Sequence, residues 1–98
     1  MITEIAVVDI VVGQEKDFES ALSVAVSTVL PQAKGFLSFH LHRGIESPST
    51  YTFLIEWNTL EDHTIGFRES DLFLQWRALI GKHFASPPRV EHWEIITF

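Results

Sequence analysis

Residues 36–57, FLSFHLHRGIESPSTYTFLIEW, decide the fold of this chain because they contain two strand-like segments joined by one loop. Apolar side chains recur at every second position in 36–43 and again in 51–57, a pattern typical of strands that bury one face. The loop from Gly44 to Thr50 is rich in glycine, proline and serine, which favour turns. The stretch predicts an antiparallel hairpin with one apolar face, formed by Leu37, Phe39, Leu41, Phe53, Ile55 and Trp57.

The segment before the hairpin predicts a strand and then a helix. Residues 2–12 are dense in Ile and Val on both alternating sides, which indicates a strand covered on both faces. Gly13 ends this strand. From Gln14 to Leu30 apolar residues recur at spacings of 4, 3 and 4, which predicts a helix that buries Phe18, Leu22, Ala25 and Val29.

The segment after the hairpin predicts two helices and a last strand. Thr59 and Asp62 have the spacing of a capping box, so a short helix is expected as far as Phe67. Ser70 starts a second helix, whose buried face holds Phe73, Trp76 and Ile80. The last strand is expected at 90–98. The order βαββαβ predicts a single α+β domain, residues 1–98, with a ferredoxin-like antiparallel sheet.

The second face of the predicted sheet is mixed and is not expected to meet water. By strand parity it combines large apolar residues with histidines and glutamates, and a second copy of the chain is the simplest cover for it. The expected partner is therefore a homodimer. The residues assigned to this face are Val8, Ile10, Phe36, Leu54 and Ile96, interleaved with His40, His42, Glu56, His92 and Glu94.

Composition excludes several classes of function. The 98 residues include 7 basic and 13 acidic side chains, giving a net charge of −6. Nucleic acids and anionic membranes are both bound through Lys and Arg, so neither is an expected partner. No apolar run approaches the roughly 18 residues of a transmembrane helix, and the N-terminus does not resemble a signal peptide. The absence of cysteine excludes disulfides and thiolate sites and fits a cytoplasmic protein.

Several short motifs then point to one family. EWNTLEDH at 56–63 is followed by GFR at 66–68, and the pattern Gly13-x-Glu15-x-x-Phe18 opens the first helix. The remaining motifs are Ser70, Phe73, WR at 76–77, GF at 35–36 and VEHWE at 90–94. In order and spacing the chain resembles the antibiotic biosynthesis monooxygenase (ABM) domain family over nearly its whole length.

The resemblance implies a dimeric α+β barrel in which two ferredoxin-like sheets face each other. Some members oxygenate aromatic polyketides or quinols without metal or flavin, which implies no cofactor and a small aromatic substrate. A haem-degrading branch shares Trp57 and the Ser-Asp-x-Phe segment at 70–73. However, Arg77 stands where that branch has its axial histidine, and the first strand lacks its asparagine. Because the iron needs that imidazole ligand, haem degradation is not expected.

His63 is the candidate catalytic base. Imidazole can accept a proton near neutral pH, and oxygenation without a cofactor requires the anion of a phenol or hydroquinone. The alternative is a polar helix residue with a local hydrogen bond. The candidate walls of a substrate cavity are the aromatic residues Trp57, Phe67, Trp76 and Phe39, although aromatic residues at these spacings also fit ordinary core packing. Phe53 and Phe73 are expected in the core.

Two further alternatives stay open. The histidines and glutamates of the second face have ligand chemistry for zinc, iron or manganese, but no compact ligand motif supports a metal site, and hydrogen bonds across a dimer interface are the preferred interpretation. Arg77 is either a surface charge or a partner for an anionic substrate. The function is accordingly either a cofactor-independent monooxygenase or a non-catalytic dimeric module that binds an apolar ligand or a partner.

Overall fold

One antiparallel sheet with two helices on one face forms the framework of the protein in a computed structural model of all 98 residues. The strand order in the sheet is β2-β3-β1-β4, and every neighbouring pair is antiparallel. This βαββαβ arrangement confirms the predicted ferredoxin-like α+β fold. The elements are β1 Ile2–Asp9, α1 Glu15–Thr28, β2 Phe36–Arg43, β3 Thr50–Trp57, α2 Asp71–Ile80 and β4 Arg89–Glu94.

The first helix packs on the sheet through the face that its periodicity predicted. Phe18, Leu22 and Ala25 are buried, and the ring of Phe18 lies edge-on to Tyr51 of β3 with ring centres 5.0 Å apart. Gly13 makes the turn between β1 and α1 with a φ of +95°, a backbone region that glycine adopts without a steric penalty. Neither α1 nor α2 has the length and apolar character that a membrane-crossing helix needs.

The segment between β3 and α2 is a π-helical turn, Asp62–Phe67. Thr59 accepts a hydrogen bond from the backbone N–H of Asp62 at 3.1 Å, which is one half of the predicted capping box. The N–H of Arg68 then bonds to the carbonyl of His63, five residues earlier. This wider turn directs His63 and Phe67 into the interior together. Its sequence predicted a short helix but not the π geometry, which is frequent at functional sites.

A bulge in β2 changes which side chains face the helices. Phe36 and Phe39 both pair with helix-facing residues of β3, so Leu37 is the extra residue between them and is half exposed. The predictions for Leu37 and Phe36 were therefore wrong, because alternation was assumed to run through the strand without interruption. Val8 and Ile10 were also assigned to the wrong face and are buried under the helices.

The last strand is shorter than predicted and has the opposite parity. β4 ends at Glu94, and Ile96 lies exposed beyond the sheet. His92 pairs with Glu4 and Glu94 pairs with Ile2, so both lie on the helix side rather than on the outer face. His40, His42 and Glu56 do lie on the outer face, opposite Leu54, Thr52 and Ser38 in the ladder. Single-strand alternation could not settle these assignments, because it does not reveal which of two faces is covered.

Candidate functional site

A cavity of about 230 Å³ lies between the sheet, the π-helical turn, α2 and the loop before β4. Nine of its 14 lining residues are hydrophobic, so its walls suit an apolar ligand. An apolar cavity of about 150 Å³ is sufficient for benzene, so this one has room for a substituted ring. The lining residues are Glu4, Ala6, Val8, Phe53, Ile55, His63, Phe67, Arg68, Phe73, Trp76, Arg77, Phe84, Pro88 and Val90.

Glu4 places a carboxyl group in the floor of the cavity. It belongs to the helix-facing row of β1 and is only 5% exposed. The indole N–H of Trp57 donates a hydrogen bond to its Oε1 atom at 2.9 Å. The Nε2 atom of His63 lies 3.3 Å from the same oxygen. Trp57, itself fully buried, therefore fixes the orientation of the acid that meets His63.

His63 is 3% exposed and is held on three sides. Its ring stacks on Trp57 with centres 5.2 Å apart and an interplanar angle of 21°. Its Nδ1 atom lies 2.8 Å from the Nε2 atom of His92, which is exposed to solvent on β4. Glu4, His63 and His92 thus form a continuous chain of hydrogen-bonding groups from the cavity to the surface.

Burial shifts the pKa values of this chain toward uncharged forms. It raises the pKa of Glu4 to about 7, although the Trp57 hydrogen bond and the charge of Arg68 act in the opposite direction. Burial, with the charges of Arg68 and His92, lowers the pKa of His63 to about 4. Burial and Arg68 also lower the pKa of His92. Because an ion pair here would have to be desolvated, the contact between Glu4 and His63 is a hydrogen bond between neutral groups in mildly acidic solution.

The predicted site residues fall into two groups. His63, Phe67 and Trp76 line the cavity together. Trp57 lies behind Glu4 and His63 and does not border the cavity. Phe39 lies behind the wall as well, with its ring centre 5.5 Å from that of Phe53 and 6.4 Å from that of Trp76. Phe53 and Phe73, expected only in the core, also line the cavity.

Sequence reasoning missed Glu4, and it placed His92 on the wrong face. A signal for Glu4 was present, because it occupies the same alternating row as Ala6, Val8 and Ile10, all of which are buried. A carboxyl group in an apolar row needs a partner or a function. His92 could be placed only through the register of β4 against β1, which its sequence does not specify.

The possible metal ligands of the outer face do not form a site. His40, His42 and Glu56 lie on the outer face of the sheet, whereas His92 and Glu94 lie on the helix side. The five residues therefore do not share one face of the sheet, as the metal-site alternative required. No group of three or more His, Asp or Glu side chains converges anywhere in the structure as a metal site would require.

Comparison with known proteins agrees with this architecture. The chain is 37% identical over 94 residues to the uncharacterised protein YczJ of Bacillus subtilis, covering 96% of this chain and 98% of that protein. A candidate antibiotic biosynthesis monooxygenase of Bordetella bronchiseptica superposes with a TM-score of 0.94 at 38% identity, covering 98% of this chain and 97% of the other.

A more distant solved structure shares the fold alone. SnoaB of Streptomyces nogalater, a cofactor-independent oxygenase solved as a point mutant, superposes with a TM-score of 0.79 at 12% identity, covering 99% of this chain and 94% of the other.

The sequence model of the family described as antibiotic biosynthesis monooxygenase matches residues 1–79. The chain therefore belongs to the antibiotic biosynthesis monooxygenase (ABM) family.

Proposed function

We propose that this protein is a cofactor-independent monooxygenase that oxygenates a small phenolic or quinol substrate. The observation that carries the proposal is a largely apolar cavity with the buried pair Glu4 and His63 in its wall. Phe67 and Trp76 offer aromatic surface to a flat ring. Membership of the ABM family and a fold shared with a cofactor-independent oxygenase support the same reaction class.

The first step is removal of the substrate's hydroxyl proton. His63 is the candidate base, and its Nε2 atom faces Glu4 at the cavity wall. A base works best when its pKa is close to the ambient pH, and burial brings the pKa of Glu4 to about 7. We therefore assign proton removal to the pair: the carboxylate of Glu4 accepts the substrate proton, and neutral His63 can take it up on Nε2 while releasing a proton from Nδ1 toward His92. Trp57 is a positioning residue because it fixes that carboxylate.

The second step is reaction of the substrate anion with dioxygen. The anion transfers one electron to dioxygen, and the resulting substrate radical and superoxide combine to form a carbon–oxygen bond. The peroxide takes up a proton, the ring carbon that carries it loses its hydrogen as a proton, and the O–O bond breaks with loss of water, leaving a carbonyl on the ring. All reducing electrons come from the substrate, one oxygen atom enters the product, and the other leaves as water. The protein contributes orientation, proton transfer and exclusion of water.

A homodimer is the second part of the proposal. The outer face of the sheet carries Ile5, Val7 and Leu54 and is not covered by either helix. Trp93 lies on the same face and is 52% exposed. An apolar sheet face of this kind is stabilised by a second copy of itself, and closed two-fold dimers are the commonest oligomers. The polar residues His40, His42 and Glu56 would then form hydrogen bonds within the interface.

An oxygen-uptake assay with a panel of phenols and quinols tests the proposed reaction. Uptake should occur equally with and without a chelator, and His63→Ala should reduce turnover at least tenfold. His40→Gln, which changes the same residue type on the outer face and keeps a hydrogen-bonding side chain there, is the control and should retain the wild-type rate. An unchanged rate in folded His63→Ala would remove His63 from the mechanism. Absence of uptake across the panel, together with ligand binding, would favour the non-catalytic module.

A further inference from the structure

We propose that Arg77 binds an anionic group of the substrate, at the end of the cavity opposite Glu4 and His63. The substrates selected would be phenolic or quinol rings that also carry a carboxylate. The inference rests on the proposed function for the reacting end of the ring, but it concerns a different side chain and a different part of the cavity.

The cavity has two chemically distinct ends. Its floor follows β1 from Glu4 through Ala6 to Val8, a length of roughly 13 Å at the usual rise of a strand. His63 lies at the Glu4 end. Phe84 lies at the other end, because it forms a bridge with Ile10, two residues beyond Val8.

Arg77 belongs to the far end. Its guanidinium carbon lies 5.9 Å from the centre of the Phe84 ring, and both residues line the cavity. A ring whose hydroxyl meets Glu4 and His63 would therefore direct the substituent on its opposite side toward Arg77. Two fixed points of this kind would orient the ring along the cavity.

The charge of Arg77 has no acidic partner within the protein. The ion pairs of the structure join Arg43 to Glu19 and Arg89 to Asp9, and the remaining acid–base contact is that between His63 and Glu4. Arg77 is exposed to solvent and also lines the cavity, so its guanidinium group is available to match the two oxygens of a carboxylate with parallel hydrogen bonds.

Arg68 lines the same cavity but acts at the reacting end. Its charge lowers the pKa values of Glu4, His63 and His92, which places it electrostatically close to all three. Arg68 therefore favours negative charge where the substrate loses its proton. This separation of roles makes different predictions for Arg68 and Arg77.

A purely structural role for Arg77 is the competing interpretation. It lies in the last turn of α2, where a positive charge interacts favourably with the carbonyl end of the helix. That role requires only a charge near the helix end and does not depend on any ligand. Ligand discrimination therefore separates the two interpretations, whereas a change in melting temperature alone does not support the subsite.

The test compares binding of 4-hydroxybenzoate and 4-hydroxybenzamide by titration calorimetry at low salt. The two probes share the ring and the hydroxyl and differ in charge. The wild-type protein should bind the carboxylate about tenfold more tightly, as expected for one charge-assisted contact. Arg77→Gln should abolish this preference, and Arg77→Lys should restore part of it. Arg68→Gln should weaken the binding of both probes and keep most of the preference for the carboxylate.

Arg43→Gln is the matched control, because it removes the same charge outside the cavity and should preserve the preference. Equal affinities in the wild type, or an intact preference in Arg77→Gln with only a lower melting temperature, would overturn the proposal. Calorimetry measures binding without turnover, so a failure of the proposed oxygenase reaction would appear separately, in the oxygen-uptake assay. A carboxylate preference without oxygen uptake would retain the subsite and discard the oxygenase. Oxygen uptake with equal affinity for neutral and anionic rings would discard the subsite alone.

Discussion

The Nε2 atom of exposed His92 lies 2.8 Å from the Nδ1 atom of buried His63, although 29 residues separate the two in the chain. On its other side, the His63 ring lies 3.3 Å from the carboxyl group of Glu4 in the cavity floor. An imidazole that accepts a proton on one nitrogen can release one from the other. The arrangement thus offers a path by which a proton taken from a bound ligand reaches solvent without crossing the apolar wall.

Replacing His92 tests this path. His92→Ala should leave ligand binding intact and slow oxygen uptake about tenfold, because the proton held by the buried pair has lost its exit. Added imidazole should restore part of the rate. Initial rates with the best substrate of the panel measure the effect, and His40→Gln, which keeps a hydrogen-bonding side chain on the outer face, is the control. A His92→Ala rate equal to that of the wild type would exclude the path.

Glu4 and His63 should give stability opposite dependences on pH. The pKa of Glu4 rises from 4.5 to about 7 on folding, so its contribution is complete below pH 4.5 and is lost as pH rises to 7. The pKa of His63 falls from 6.5 to about 4, so its contribution is complete above pH 6.5 and is lost as pH falls to 4. Between these limits the two contributions change in opposite directions and largely cancel.

Single substitutions should separate the two contributions. Relative to the wild type, Glu4→Gln should become more stable as pH rises from about 4.5 to about 6.5, and His63→Gln should become less stable. Each difference in the free energy of unfolding changes by up to about 1.4 kcal/mol per pH unit. Urea titrations at three pH values across this range measure the slopes, and slopes of the same sign would contradict the assignment.

Trp57 should hold the pKa of the Glu4 carboxyl group below the value that burial alone would give it. Its indole N–H donates to Glu4 and lowers the pKa of that carboxyl group. Trp57→Phe should therefore raise the pKa of Glu4 above its present value of about 7 and move the acidic limb of the oxygen-uptake profile to higher pH. The lost bond to a buried acid should also cost about 1–3 kcal/mol of unfolding free energy. Trp93→Phe on the outer face is the control, and a profile unchanged by Trp57→Phe would show that Glu4 does not set it.

Gly35 should be essential for the placement of the π-helical turn. Its φ is +83°, and a Cβ atom there would overlap the carboxyl group of Asp62, the residue before His63. Gly13 has a similar φ of +95° but open space around it. Gly13→Ala should therefore cost only backbone strain, about 1–2 kcal/mol, whereas Gly35→Ala should cost more and also displace His63. Thermal unfolding and oxygen uptake of the two variants measure the difference, and equal losses would contradict it.

The local sequence patterns predicted the elements of this fold better than they predicted the site. Apolar spacing located α1 and the hairpin, because helix and strand periods differ clearly. The same patterns could not show the bulge at Leu37 or the face of His92, since both depend on pairing between strands. His63 was selected as a candidate from its residue type and its position after Trp57. Glu4 was missed because its significance depends on burial, which a single acidic residue does not reveal.

The outer face of the sheet should bind a second copy of the chain. Leu54 lies near its centre, paired with Ile5 on one side and His40 on the other. The wild-type protein should sediment at micromolar concentration with about twice its chain mass of 11.2 kDa.

Leu54→Glu should give a folded monomer, because the introduced charge would be desolvated in the interface without a partner. Leu74→Glu places the same charge on α2, where Leu74 is already exposed, and should remain dimeric. A wild-type protein that sediments as a monomer would leave the apolar outer face without the proposed cover. A Leu54→Glu variant that stays dimeric would place the interface on a different surface.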